Sequence, residues 1–115
     1  MTHLLEYSTW NFENKLDLLQ AELHYLNNHH NMAELSYQAS IVSARKHRFY
    51  HEEALACELY GIYLVENKMI AKGLEQLQNA REKYVKWGAT KKADAVQDFM
   101  DLANQTANYL WKASR

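Results

Sequence analysis

Residues 49–89 read FYHEEALACELYGIYLVENKMIAKGLEQLQNAREKYVKWGA, and this stretch decides the fold. It holds two proline-free runs separated by the polar pair Asn67-Lys68. The first run begins near His51 with Glu52 and Glu53, acids that suit the positive end of a helix dipole. Its apolar residues Leu55, Leu59, Ile62 and Tyr63 recur at threes and fours, which predicts one inward face. The second run spans about Met69 to Trp87 and stops at Gly88, a residue able to take the left-handed conformation that closes a helix. Lys83 and Lys86 precede that stop, where cations complement the dipole.

The same reading extends to the rest of the chain. No proline and only three glycines occur in 115 residues, so helix is favoured throughout and strands have little support. Polar clusters at Asn27–Asn31, His47–Tyr50, Asn67-Lys68 and Gly88–Thr90 mark the breaks and divide the chain into five helices. The first runs from about Asn11 to Leu26, with Phe12, Leu16, Leu19, Leu23 and Leu26 as its apolar stripe. Asn31 is placed to cap the second helix, with Glu34 completing a capping box, and that helix extends to about Lys46. Thr90 is placed to cap the fifth, whose stripe is Val96, Phe99, Met100, Ala103, Ala107, Leu110 and Trp111. Connections of two to five residues force consecutive helices to lie antiparallel. One domain over residues 1–115 is expected, with a first hairpin at about 11–46, a second at about 51–87 and a C-terminal helix at about 91–112. Leu4, Leu5, Tyr7 and Trp10 are available to cover the N-terminal end.

An internal repeat appears at an offset of 40 residues. Ala21, Ala33, Tyr37 and Ser40 correspond to Gly61, Gly73, Leu77 and Ala80, with the same internal spacings. Asn27 and Asn67 match outright, as do Leu19 and Leu59 and Lys46 and Lys86. A small residue in each helix lets paired backbones approach, a large one fills the wedge, and a further small one admits the next repeat. This small, small, large, small order resembles that of tetratricopeptide repeats. The fold class it implies is all-α, with antiparallel hairpins stacked as a short tetratricopeptide-like array and a C-terminal capping helix.

The segment His51-Glu52-Glu53-Ala54-Leu55-Ala56 with Glu58-Leu59, followed by Ala80-Arg81, Tyr84 and Trp87-Gly88-Ala89, is more particular. Together with Asn11-Phe12, Lys15, Tyr37 and Ile41 it resembles a helical-repeat segment of very large signalling kinases. Those chains join a protein-kinase-like domain and a predicted ATPase to a GAF sensor and a histidine kinase. The resemblance covers about residues 11–97. It departs at Gly73 and Gln76, where that segment tends to carry alanine and an aromatic residue. It implies a link to signal transduction and contributes no catalytic group.

Thirteen basic and fourteen acidic residues leave a net charge of −1, which disfavours nucleic acid and anionic membrane surfaces as partners. The densest basic run, Arg45 to Arg48, fits the last turn of a helix. The lone Cys57 lies in an apolar stretch and forms no internal disulfide, which suits a cytoplasmic protein. No transmembrane span is expected, since the longest apolar stretch is short and broken by Glu58. His47 and His51 have the spacing of two metal ligands, but neither CxxC nor HExxH accompanies them, so no metal or cofactor is expected. Glu52 and Glu53 have a sufficient role in the helix dipole, and no phosphate loop or nucleophile elbow occurs, so no enzyme is expected. Of Tyr60, Tyr63, Tyr84 and Trp87, three are expected in the core and one ring outside it.

The remaining function is protein binding. In helical arrays the first helix of each pair lines the binding wall, which places Lys15, Leu18, Glu22, Tyr25, Leu55, Glu58 and Ile62 there. The partner is a protein, a peptide or another domain of a longer chain. The alternative is a dimerising spacer that pairs through the Val96–Trp111 stripe of the C-terminal helix.

Overall fold

The computed structural model describes the backbone of residues 16–113 and the side chains of residues 16–108. Among them every element is helical. Helix α1 is described from 16 to 26, and α2 His30–Lys46, α3 Tyr50–Glu66, α4 Ile70–Lys86 and α5 Thr90–Ala113 follow. The chain divides into two compact units, the boundary in the sequence falling within α3, between Ala56 and Cys57.

The helices begin at 20-residue intervals because all four connections are the same three-residue turn. In each, the second residue has positive φ: Asn28 at 61°, Arg48 at 59°, Lys68 at 68° and Gly88 at 78°. The N–H of the third residue reaches back five positions, as from His29 to the His24 carbonyl and from Met69 to the Leu64 carbonyl, both at 2.8 Å. The second residue's N–H bonds three positions back, so carbonyls left over at the helix end are satisfied by the turn itself. That third residue then offers its own carbonyl to the next helix, as His29 does to the N–H of Ala33 at 2.9 Å. Asn27 and Asn67, at equivalent places, also donate their side-chain amides to the carbonyls of Leu23 and Tyr63, at 3.0 and 2.8 Å.

These turns correct two expected caps. His29, and not Asn31, occupies the N-cap position of α2, without a side-chain cap bond. Thr90 is the first residue of α5, and Ala89 supplies the carbonyl that starts it. With the entering carbonyl already fixed by the preceding turn, side-chain capping is dispensable.

The repeat positions are all buried. Ala21, Ala33, Tyr37, Ser40 and Ala44 have as counterparts Gly61, Gly73, Leu77, Ala80 and Tyr84, 40 residues on. In α2 and α4 they form the same stripe, with steps of four, three and four. The α3 and α4 backbones touch at the glycines. A Cβ built on Gly73 would stand 2.9 Å from the Gly61 carbonyl oxygen, and one on Gly61 would stand 2.7 Å from Leu77 Cγ. Burial of a side chain such as Leu77 contributes about 2 kcal/mol.

Two expected inner faces differ from those observed. In α1, Leu16, Leu19, Leu23 and Leu26 are exposed, whereas Leu18 and Ala21 are buried. Both sets recur at helical spacing, and the small Ala21 allows close packing that a row of leucines does not. Phe12 lies outside the described residues. In α3 only Tyr63 of the expected set is buried; Leu59 and Ile62 are half-buried and Leu55 is exposed. Ala54, Ala56, Cys57, Tyr60 and Leu64 are buried instead, around most of the helix. In α5 the described members of the expected stripe do face inward, Val96 and Ala103 buried and Phe99, Met100 and Ala107 half-buried, and α5 packs on α4 within the second unit; the side chains of Leu110 and Trp111 lie outside the described residues.

Candidate interaction site

The residues singled out for a binding wall divide by their surroundings. Lys15 lies outside the described residues. Leu18 is part of the core, so burial accounts for it. Glu22 is half-buried and accepts a hydrogen bond from the Tyr37 hydroxyl at 2.7 Å, tying α1 to α2. Tyr25 is half-buried, its ring tilted against His30 with centroids 6.2 Å apart. Leu55 is the one exposed member among the described residues, and Ile62 is half-buried.

Glu58 is more occupied. It accepts the Tyr84 hydroxyl at 2.8 Å and pairs with Lys92 at 3.3 Å, and the Lys92 ammonium also sits 5.4 Å from the Tyr84 ring centroid. Burial of the phenol, and next the hydrogen bond to the Glu58 carboxylate, push the Tyr84 hydroxyl far above the usual phenol range. α3, α4 and α5 are thus joined by one polar cluster within the second unit.

The two tyrosine–glutamate bonds are not repeat equivalents. At the register of Glu22 and Tyr37 the second pair carries Ile62 and Leu77; at the register of Glu58 and Tyr84 the first carries Leu18 and Ala44. Each pair therefore places its polar bond where the other is apolar. The expected wall residues Glu22 and Glu58 are thus each engaged by a tyrosine hydroxyl of a neighbouring helix.

A further polar contact was not anticipated. Glu53, buried in the first turn of α3, accepts from Arg45 Nε at 2.9 Å, the arginine being largely exposed. The 40-residue register gave no sign of it, since position 53 is matched by another glutamate, Glu13, and by Ala93. Of the four aromatics, Tyr60, Tyr63 and Tyr84 are buried and Trp87 is exposed at the turn after α4. Cys57 is buried. No group of three metal-ligating side chains occurs among the described residues, and none of their helices is long and apolar enough to cross a membrane. No protein-family model, curated protein or solved structure matches the chain.

Proposed function

We propose that this protein is a non-catalytic interaction module, a short tetratricopeptide-like array of stacked helical hairpins that binds or couples other proteins. The observation that carries the reading is the pair of buried quartets, Ala21-Ala33-Tyr37-Ser40 and Gly61-Gly73-Leu77-Ala80, with identical spacing. Helices built on one repeated register are the substance of binding arrays, in which each repeat adds surface and not chemistry. Glu22, Glu53 and Glu58, the partly or fully buried carboxylates named above, are engaged by Tyr37, Arg45, Tyr84 and Lys92, which is a structural use. A role in signal transduction is supported by the sequence resemblance to the repeat segments of large signalling kinases.

Within the proposed wall the contact falls to Leu55, the exposed member among the described residues, with Lys15 at the same place one repeat earlier in the sequence. A photo-crosslinking side chain at position 55 should trap a protein partner in the cells that make this chain. The same group at Val85, exposed on α4, serves as the control. Equal trapping at both positions, or none at 55, would overturn the assignment. The alternative of a dimerising spacer joined through α5 has weaker support, because Val96 and Ala103 are already buried within their own unit.

A further inference from the structure

Each of the four turns ties the same two positions together, because the third turn residue donates its N–H to the carbonyl five positions back. In three of the turns that pair is apolar or aromatic: Ala44 with Phe49, Leu64 with Met69 and Tyr84 with Ala89, the first member buried each time. In the turn between α1 and α2 the pair is His24 and His29. His24 is half-buried and His29 exposed, and their ring centroids stand 5.8 Å apart with an interplanar angle of 45°. Where the other turns place part of the core, this one places two imidazoles at the surface.

Imidazole nitrogen is the commonest protein ligand for transition metals. Metal–nitrogen bonds are about 2.0–2.1 Å and a ring centroid lies about 1.1 Å behind its nitrogen, so two imidazoles on one ion have centroids about 5 to 6.5 Å apart for angles from tetrahedral to linear. The observed 5.8 Å falls inside that range. The turn also fixes the backbone on both sides of the pair. The His29 N–H bonds the His24 carbonyl at 2.8 Å, Asn28 between them is left-handed, and the His29 carbonyl accepts from the Ala33 N–H at 2.9 Å. Only ring rotation remains to aim two nitrogens at one point, so little ordering is left for the metal to impose.

We infer that His24 and His29 form a two-imidazole site for a divalent transition-metal ion of the zinc, nickel and copper class. Magnesium and calcium take oxygen ligands and are not suited to this pair. Two ligands are fewer than the four of a closed zinc site, so water fills the other positions and the ion exchanges with the medium. Once bound, it links the last turn of α1 to the entry of α2, which favours the folded hairpin. His30, next in sequence, is engaged elsewhere, its ring tilted against Tyr25 with centroids 6.2 Å apart. The five-residue step from His24 to His29 crosses a helix end, where the four-residue ligand spacing of a continuous helix no longer applies, so the sequence pattern did not mark this pair. The site does not involve Leu55 and stands or falls independently of the partner-binding role.

Titration of the untagged full chain with zinc chloride, followed by the imidazole resonances, tests the site. The His24 and His29 rings should shift together and saturate at one zinc per chain, while those of His47 and His51 stay in place. Copper(II) should bind more tightly than zinc by calorimetry. His24→Gln and His29→Gln should each weaken zinc binding at least about 10-fold, since losing a residue that merely orients a ligand already costs that much. The double variant His47→Gln/His51→Gln should leave the affinity unchanged. Saturating zinc should raise the melting temperature of the wild type and of neither single variant. Absence of stoichiometric zinc binding at about 100 micromolar protein and metal overturns the inference. So does binding that survives both single variants, or a titration that moves all six histidines alike, the mark of adventitious surface binding only.

Discussion

Replacing Gly73 by alanine probes the close approach of α3 and α4. Helix propensity alone favours the change by about 1 kcal/mol. The geometry opposes it: the new Cβ would stand 2.7 Å from Val65 Cγ2 and 2.9 Å from both the Gly61 carbonyl oxygen and the Val65 nitrogen. Two of these neighbours are backbone, so no rotamer change relieves them. With carbon contacts optimal near 3.5–4.0 Å, α3 and α4 must part by roughly half an ångström or more. Overpacking by one methyl costs about 1–3 kcal/mol, leaving Gly73→Ala destabilised by about 1 kcal/mol, and at most about 2 kcal/mol, after the propensity gain. For a chain of this length the melting temperature should fall by about 5 °C, read by circular dichroism. Adding Gly61→Ala should cost less than its effect alone, because helices already parted admit the second methyl more easily. The first pair is consistent with this, since it carries Ala21 and Ala33 at the same register. A Gly73→Ala protein that melts above wild type would refute the close approach and with it the small-residue account of the repeat.

Other expectations follow from the turns and the polar contacts. Arg48→Gly and Lys68→Gly should each raise stability by about 1 kcal/mol in denaturant titration, and Gly88→Ala should lower it by a similar amount, because left-handed backbone penalises a Cβ. Tyr84 keeps its proton in the folded state beyond the pH of about 10 at which an unfolded tyrosine loses it. Its contribution is therefore present below that pH and lost as pH rises above it, by at most about 1.4 kcal/mol per pH unit. Between pH 10 and 11 the wild type should lose more stability than Tyr84→Phe; parallel loss would count against the buried hydroxyl–carboxylate bond. Arg45→Met leaves the buried Glu53 without its guanidinium, and should cost about 1–2 kcal/mol, less than a pair buried on both sides because Arg45 is largely solvated.

Much of the architecture was legible because it rests on residues with few alternatives. Gly88 announced its left-handed turn, Asn27 and Asn67 marked equivalent turns, and the small residues at 21, 33, 61 and 73 recurred at a fixed offset. Less legible was the 20-residue spacing of the turns, because Arg48 and Lys68 adopt positive φ without the side chains that usually signal it. The inner face of α1 was misread for a physical reason. Leu16, Leu19, Leu23 and Leu26 have helical periodicity as good as that of a core stripe, and periodicity does not distinguish a face that packs on the next helix from one that does not. In α3 the inner residues are largely alanines and tyrosines, which pack closely or fill wedges, whereas the more conspicuous Leu55 lies outside. Of the candidate site, Glu22 and Glu58 were recognised as residues of interest, but their tyrosine partners, 15 and 26 positions away, follow no local spacing. The Arg45–Glu53 pair left no trace in the register, where Glu53 is matched by Glu13.

The equivalence of the two helical pairs is tested most directly by nuclear Overhauser contacts in the intact protein. The account predicts cross-peaks between Gly61 and Gly73 across α3 and α4, and between the methyls of Ala21 and Ala33 across α1 and α2, 40 residues earlier. Cross-peaks that join only one of these pairs, or that join either helix to its neighbour at a shifted register, would contradict it.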